Sequence, residues 1–394
     1  MARPIPWLKG VRVSNYRSIA SANVSLGPLT VLVGTNGAGK SNFLDAVHFL
    51  AQAVATTPYQ AADDRGGLVE ILRRIPEQQD SLRIEVDVVV PWGAEPDQRA
   101  EGTYGFELAR SGRRGQRPVE VVWEACSLSW QGRERGFTVD RGHVAHPGGP
   151  GHGSTIETDR LYLPAASALP NLAPLYGRLR NMAFYSLDLD TLRQPQPEAD
   201  GALLGSRGEH LPDVLGQLAS EQPAMKRRLD DYLAAIVPGL VSMDRQYAGT
   251  YVALESRFAL PNEEVAFGGD ALSEGTVRAA GVLAALFQPW VESGLVSLIG
   301  LEEPELALHP SAAAVLFDAL TEASEKVQVL ATSQSADLLD RDDVDPSTIR
   351  AVAATNGLTE INELDEVSLG ILGDKRLTLG ELMRSNQLSP RHVA

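Results

Sequence analysis

The sequence predicts an α/β protein with a mixed sheet, an antiparallel β lobe and a small helical insertion. Three observations carry that expectation. Leu29–Asn42 (LTVLVGTNGAGKSN) runs from an apolar strand through a glycine-rich turn into a helical pattern. From about Leu82 to Arg160 the pattern changes to short alternating or β-branched runs separated by Gly, Pro and Arg turns. From Leu272 the α/β alternation returns.

Taken in order, Val11–Ser14 and Val24–Leu26 read as two short strands around Asn15-Tyr16-Arg17-Ser18. A third strand ends at Gly34, and a helix is expected from Lys40 to about Val54, with Phe43, Leu44, Val47 and Leu50 apolar. Pro58, Gly66 and Gly67 mark a loosened connection. Leu82–Val90, Thr103–Ala109, Val119–Trp130 and Gly136–Val139 form the β lobe. Its tip, Arg110–Arg117, is basic, either a solvated turn or a DNA-backbone contact. His143–Gly153 reads as a mobile loop whose histidines lack zinc-site spacing. Met182–Leu189 looks like a strand re-entering a core, and Gln194–Gly208, rich in Pro and Gly, reads as disordered. Leu211–Ala219 and Ala224–Ile236 are amphipathic helices, followed by paired strands at Met243–Leu254 and Arg257–Phe267. A helix at Gly275–Phe287, a strand at Val296–Leu301, a helix opened by Pro310, a strand at Val327–Ala331 and a short helix near Ala336–Leu339 follow. Ile349–Ala353 and Leu358–Leu364 form a hairpin, and the tail helix near Leu377–Arg384 shows no chemistry. The division expected is a phosphate-loop half (1–60), a β-rich lobe (61–190), a linker with a helical/β insertion (191–268), a second half of the nucleotide-binding unit (269–345) and a C-terminal hairpin and helix (346–394).

Composition narrows the function. The chain has 394 residues, one cysteine (Cys126) and a formal net charge of −16. The lone cysteine excludes an intramolecular disulfide and suits a reducing, cytoplasmic setting. The N-terminus has no apolar core of a signal peptide, and the longest apolar region, Ala279–Leu301, is interrupted by Gln288, Pro289, Glu292 and Ser293, so no membrane association is expected. Such acidity opposes general wrapping of nucleic acid; a DNA contact would need a local basic patch.

Gly34-Thr35-Asn36-Gly37-Ala38-Gly39-Lys40-Ser41-Asn42 contains the full phosphate-loop pattern in its strand–turn–helix context. The glycines let successive N–H groups converge on a phosphate, and the helix adds its positive end. Lys40 can neutralise the β- and γ-phosphates of ATP, and the Ser41 hydroxyl can ligate Mg²⁺. Further along, an apolar strand ends in Glu302-Glu303-Pro304-Glu305. With a phosphate loop upstream, Glu302 would hold the metal and Glu303 would take a proton from water; alone, two acids after a strand are more often a solvated helix start. Leu272-Ser273-Glu274-Gly275-Thr276 opens a helix, with Ser273 either an ordinary N-cap or part of a second anion-binding terminus.

The set Asn15–Ser18, GTNGAGKS, LSEGT, LEEPELALHP and ATSQSADLLD resembles the RecF-like, SMC-like branch of the ABC-type ATPases, strongly over residues 8–60 and 270–345. The resemblance implies an ABC-type P-loop NTPase head, compact and without a coiled coil. It implies that Leu272–Thr276 is the signature motif acting in trans, so that a homodimer sandwiches two ATP molecules, each between one chain's phosphate loop and the other's Ser273 and Gly275. It makes Glu303 the catalytic acid and gives Arg17 a nucleotide contact, an equally good reading being a surface arginine. Two departures stand out: Glu302 replaces the usual Asp, and Gln334 occupies the switch position where His is usual. Glutamine can hydrogen-bond phosphate or water but cannot carry a proton, so slow hydrolysis is expected. The resemblance also implies a Q-loop glutamine, which the sequence does not place. A dimeric ATPase of DNA repair or antiphage defence is the leading expectation, with DNA and a separate effector protein as open partners. The alternative is a nucleotide-gated regulator of a separate nuclease or toxin that does not bind DNA itself.

Overall fold

Three sheets carry the chain, and the order in which the sequence feeds them sets where the phosphate loop lies. The computed structural model describes residues 6–74, 77–92, 98–111, 119–146, 155–199, 201–374 and 376–391. The chain opens with a hairpin, β1 (Leu8–Tyr16) and β2 (Ile19–Ser25), with Tyr16 opposite Ile19. Arg17, the first residue of its two-residue loop, takes a positive φ of 48°, in keeping with the primed turns that match strand twist. β3 (Leu29–Val33) is buried at every position, as a strand covered on both faces should be. It leads into α1 (Lys40–Ala55), which buries Phe43, Leu44, Val47, Leu50 and Val54. The connection after it is firmer than its glycines suggest, holding two short helices, α2 (Pro58–Asp63) and α3 (Leu68–Ile71). Thr57 caps α2 by accepting from Gln60 N at 3.1 Å, and Pro58 sits in the first turn, where no N–H is needed.

The β lobe follows as expected: β4 (Ser81–Pro91), β5 (Arg99–Arg110), β6 (Val119–Trp130), β7 (Arg133–Asp140) and a short β8 (His143–Ala145). All pair antiparallel, and β1 and β2 complete the sheet in the order β2-β1-β4-β5-β6-β7-β8. The basic tip residues Arg113, Arg114 and Arg117, and His152, lie outside the described residues. α1 packs onto this sheet, with Phe49 against Tyr16 and Phe106 at ring-centroid distances of 5.9 and 6.4 Å.

Glu124 is fully buried inside this lobe, accepting from Tyr104 Oη and from the backbone N–H groups of Tyr162 and Leu163. Burial pushes its carboxyl up to about 7, against those three donors. The folded state therefore holds this proton more tightly than the unfolded chain, so stability falls as pH rises from about 4.5 to about 7 and levels off above that. The contribution is about 3 kcal/mol. Denaturant unfolding between pH 5 and 8 should show wild type losing stability relative to Glu124→Gln as pH rises. A difference independent of pH would exclude this titration.

After α4 (Leu163–Ala166) and α5 (Ala173–Arg180) comes β9 (Met182–Tyr185), then α6 (Leu189–Arg193) and a two-residue β10 (Gln196–Pro197). The described residues of the Gln194–Gly208 segment, expected to be disordered, are instead held in place; Asp200 lies outside them. Gln196 accepts from His210 N and donates to Thr191 O, while Leu204 is buried with its N–H on Gln288 Oε1. The helices α7 (Leu211–Glu221) and α8 (Pro223–Ile236) stand where expected. The strands after them do not: β11 (Leu240–Ala248) pairs with β12 (Tyr251–Ala259), and β13 (Glu264–Gly268) adds to β12. Gly249, with a φ of 68°, turns the chain six residues before the gap expected from the apolar runs.

The remaining elements are α9 (Glu274–Phe287), α10 (Pro289–Glu292), β14 (Leu298–Glu302), α11 (Pro310–Ala323), β15 (Gln328–Ser333), the hairpin β16 (Ile349–Thr355) and β17 (Leu358–Asn362), α12 (Glu366–Gly373) and α13 (Leu379–Arg384). The hairpin is part of the central sheet, whose order is β17-β16-β3-β15-β14-β9; β16, β3, β15, β14 and β9 run parallel. Among the described residues, no helix is long and apolar enough to cross a membrane.

Candidate active site

Strand register brings the expected residues to one edge. Val33 lies beside Ser333 and Glu302 beside Thr332, so the loops after β3, β15 and β14 leave the central sheet together at the carboxyl ends of its strands. Those loops carry Lys40, Gln334 and Glu303.

The phosphate loop fits its surroundings closely. Gly37 and Gly39 take φ of 74° and 106°. A Cβ on Gly39 would come within 2.1 Å of Thr359 Oγ1, and one on Gly34 within 2.1 Å of Val352 O. The β16–β17 hairpin thus forms the wall behind the loop. Thr359 Oγ1 donates to Ala38 O at 2.9 Å and lies 2.7 Å from Ser18 Oγ, which accepts from Asn42 Nδ2 at 2.6 Å. Asn42 therefore ties the start of α1 to the first hairpin. Lys40 is 4% exposed and donates to the carbonyls of Gly34 (2.8 Å) and Thr35 (3.0 Å). Burial lowers its pKa, opposed by the nearby carboxylates of Glu303, Glu305 and Glu302.

Two clefts flank the loop. One, of about 180 Å³, is lined by Ser41, Asp45, His48, Phe184, Ser186, Arg207 and Glu302. Ser41 and Glu302 supply the oxygen donors magnesium prefers, and among the described residues no group of three or more His, Cys, Asp or Glu could hold a metal. An ion there would complete its shell from phosphate and water. His48 stacks on Phe184 at 4.6 Å, and burial lowers its pKa to about 4, so it stays neutral near pH 7. Arg17 reaches the rim of this cleft through Asp45, at 3.1 Å, where Tyr16 Oη and Arg65 also bind. The cleft lining contains no glutamine; the segment after β9 that enters it brings Ser186 instead. The other cleft, of about 550 Å³, is lined by Gly34, Thr35, Asn36, Gln334, Val352 and, from the tail, Met383, Arg384 and Asn386. The tail helix, expected to have no chemistry, thus borders the phosphate loop.

Glu303 takes a positive φ of 45°, and its N–H meets Thr332 O (3.1 Å) and Thr332 Oγ1 (3.2 Å). Gln334 Nε2 donates to Glu303 Oε2 at 2.7 Å. The switch residue and the expected base are in direct contact. Ser273 is an N-cap, accepting from Thr276 N at 3.2 Å. A Cβ on Gly275 would lie 2.5 Å from Ala307 O, so the start of α9 packs on the loop after β14. Neither Ser273 nor Gly275 lines either cleft beside its own chain's phosphate loop. The residue sequence reasoning missed is Glu305, which is 7% exposed and receives Ser333 Oγ and the N–H groups of Gln334 and Ser335. Its signal was a third acid two residues beyond Glu303.

Two family models match the chain. Residues 7–86 match one described as "AAA ATPase domain", and residues 157–340 one described as "AAA domain, putative AbiEii toxin, Type IV TA system". The OLD nuclease of Thermus scotoductus is 22% identical over 335 residues, which cover 82% of this chain and 57% of that protein. The DNA replication and repair protein RecF of Streptococcus agalactiae is 41% identical over 46 residues, 11% of this chain and 12% of RecF. The chain thus spans less than two thirds of either relative. An SMC head bound to the C-terminal winged-helix domain of ScpA superimposes with a TM-score of 0.57 at 13% identity, covering 93% of this chain and 100% of that one. An SMC head with an extended coiled coil, from Pyrococcus furiosus, gives 0.55 at 12% identity, covering 94% and 100%. The likeness is one of fold.

Proposed function

We propose that this chain, similar to ABC-type, RecF- and SMC-like ATPases, binds ATP and hydrolyses it as a homodimeric switch acting in DNA repair or antiphage defence. The observation that carries hydrolysis is Glu303, held by Gln334 at 2.7 Å and set one sheet edge with Lys40. Glu303 would accept the proton of the attacking water, with Gln334 fixing which carboxylate oxygen faces it. Lys40 would turn from its two carbonyls to the β- and γ-phosphates, offsetting charge on the transferring group. Magnesium, held by Ser41 and Glu302, would add to that charge compensation.

The placement of Ser273 and Gly275 away from their own phosphate loop supports action on the partner's nucleotide. A mixture of Lys40→Ala and Ser273→Arg chains is therefore expected to recover hydrolysis that neither shows alone. The mixed dimer has one composite site with both defects and one with neither. ATPase assays on differentially tagged chains test this, and a verified heterodimer with no activity would exclude the trans arrangement.

A second reading has the chain gate a separate nuclease or toxin without contacting DNA. One observation favours it: this chain carries a net charge of −16, which opposes contact with nucleic-acid phosphates. Stimulation of ATP turnover by DNA would decide against it.

A further inference from the structure

Glu305 is an expensive residue to bury where it is. Its Oε1 collects three donors, Ser333 Oγ at 2.6 Å and the N–H groups of Gln334 and Ser335 at 3.3 Å each. Its Oε2 is buried and, among the described residues, receives no donor from another residue. An unpaired buried carboxylate oxygen costs folding free energy, and a neutral side chain would fill the same space without that cost. Burial raises the Glu305 pKa, while Ser333 and the backbone N–H groups favour the ionised form.

What the carboxylate gains is control of one short segment. The donors it gathers are consecutive, Ser333 to Ser335, and the middle residue is Gln334, whose amide holds Glu303. The two loops are laced a second time where Glu303 N–H meets Thr332. Glu305 thus pulls the turn after β15 against the loop after β14, with Glu303 and Gln334 facing each other across the seam. We infer that Glu305 is a positioning residue that fixes the Ser333–Ser335 turn and, through Gln334, the orientation of Glu303 toward the attacking water. This inference rests on the hydrolytic reading of the site; Glu305 itself touches no reacting atom.

The test uses the full chain and the variants Glu305→Ala, Glu305→Gln, Gln334→Ala and the double variant Glu305→Ala/Gln334→Ala. Hydrogen exchange of the Gln334 and Ser335 amides, measured without nucleotide, should quicken roughly tenfold in Glu305→Ala and stay near wild type in Glu305→Gln, whose amide oxygen can still accept. With ATP and magnesium, Glu305→Ala should lower kcat roughly tenfold with KM within about twofold of wild type, and Glu305→Gln should restore most of it. If Glu305 acts through Gln334, its loss should cost nothing more in the Gln334→Ala background. Unchanged exchange in Glu305→Ala, a loss appearing in KM, or additive effects in the double variant would each overturn the inference. A wild-type chain that turns over no more ATP than Lys40→Ala would instead overturn the hydrolytic reading, and the inference with it, whatever the exchange shows. Should Glu305→Ala fail to fold, Glu305→Gln still decides: tenfold loss of kcat despite retained exchange protection would rule out the positioning role.

Discussion

Lys40→Ala is expected to weaken ATP binding by about a hundredfold or more while the chain stays folded. Charge-assisted hydrogen bonds to phosphate are each worth about 1.5–3 kcal/mol, and a lysine in this loop makes more than one. The structural cost is small by comparison, because among the described residues Lys40 donates to two backbone carbonyls, those of Gly34 and Thr35, both lining an open cleft. Calorimetric titration with ATP, beside thermal unfolding of the same samples, separates the two effects. Unchanged affinity in a folded variant would remove the phosphate-loop assignment.

Glu303→Gln should bind ATP as wild type does and lose hydrolysis by roughly a hundredfold to ten-thousandfold, the range for removing a general base. The exchange is nearly isosteric, and the new amide oxygen can still accept from Gln334, so the seam between the two loops should survive. Phosphate release measures the loss, and the variant should accumulate as an ATP-held dimer on sizing in nucleotide. Wild-type turnover would move the base elsewhere, first to Glu302.

The parts of the fold and site that were legible in the sequence are those whose chemistry is complete within a few residues. The phosphate loop reads directly because glycines, lysine and serine act on one another across eight positions. Glu302 and Glu303 read because an apolar strand ends in them. Ser273 was legible as a cap, and its Oγ indeed takes the Thr276 N–H. What stayed hidden depends on partners far along the chain. The Gln194–Gly208 segment lacks periodicity because polar side chains hold it, among them Gln288, 84 residues from its partner Leu204. The pairing of β11 with β12 was obscured because apolar residues alternate acceptably in more than one register, and only Gly249 settles it. Glu305 received no role from the sequence because its donors lie 28 to 30 residues away. The tail helix carries no motif, and its place beside the phosphate loop rests on distant partners, Arg384 pairing with Asp340 and Asp337, 44 and 47 residues away.

The wall behind the phosphate loop has a consequence for how the molecule is made. Ser18 and Ala38 leave a ribosome well before the Thr359 hydroxyl that meets both, which lies 341 and 321 residues later. β3 likewise waits for β15 and β16 before it has a neighbour on either side. Vectorial synthesis therefore presents the glycine-rich loop long before anything can hold its shape, and contacts of such long range form slowly. A nascent chain carries the complete phosphate-binding motif through the 321 residues that separate Ala38 from Thr359 without a formed site. Nucleotide affinity is in effect gated by translation, arriving only after the hairpin that walls the loop has been made.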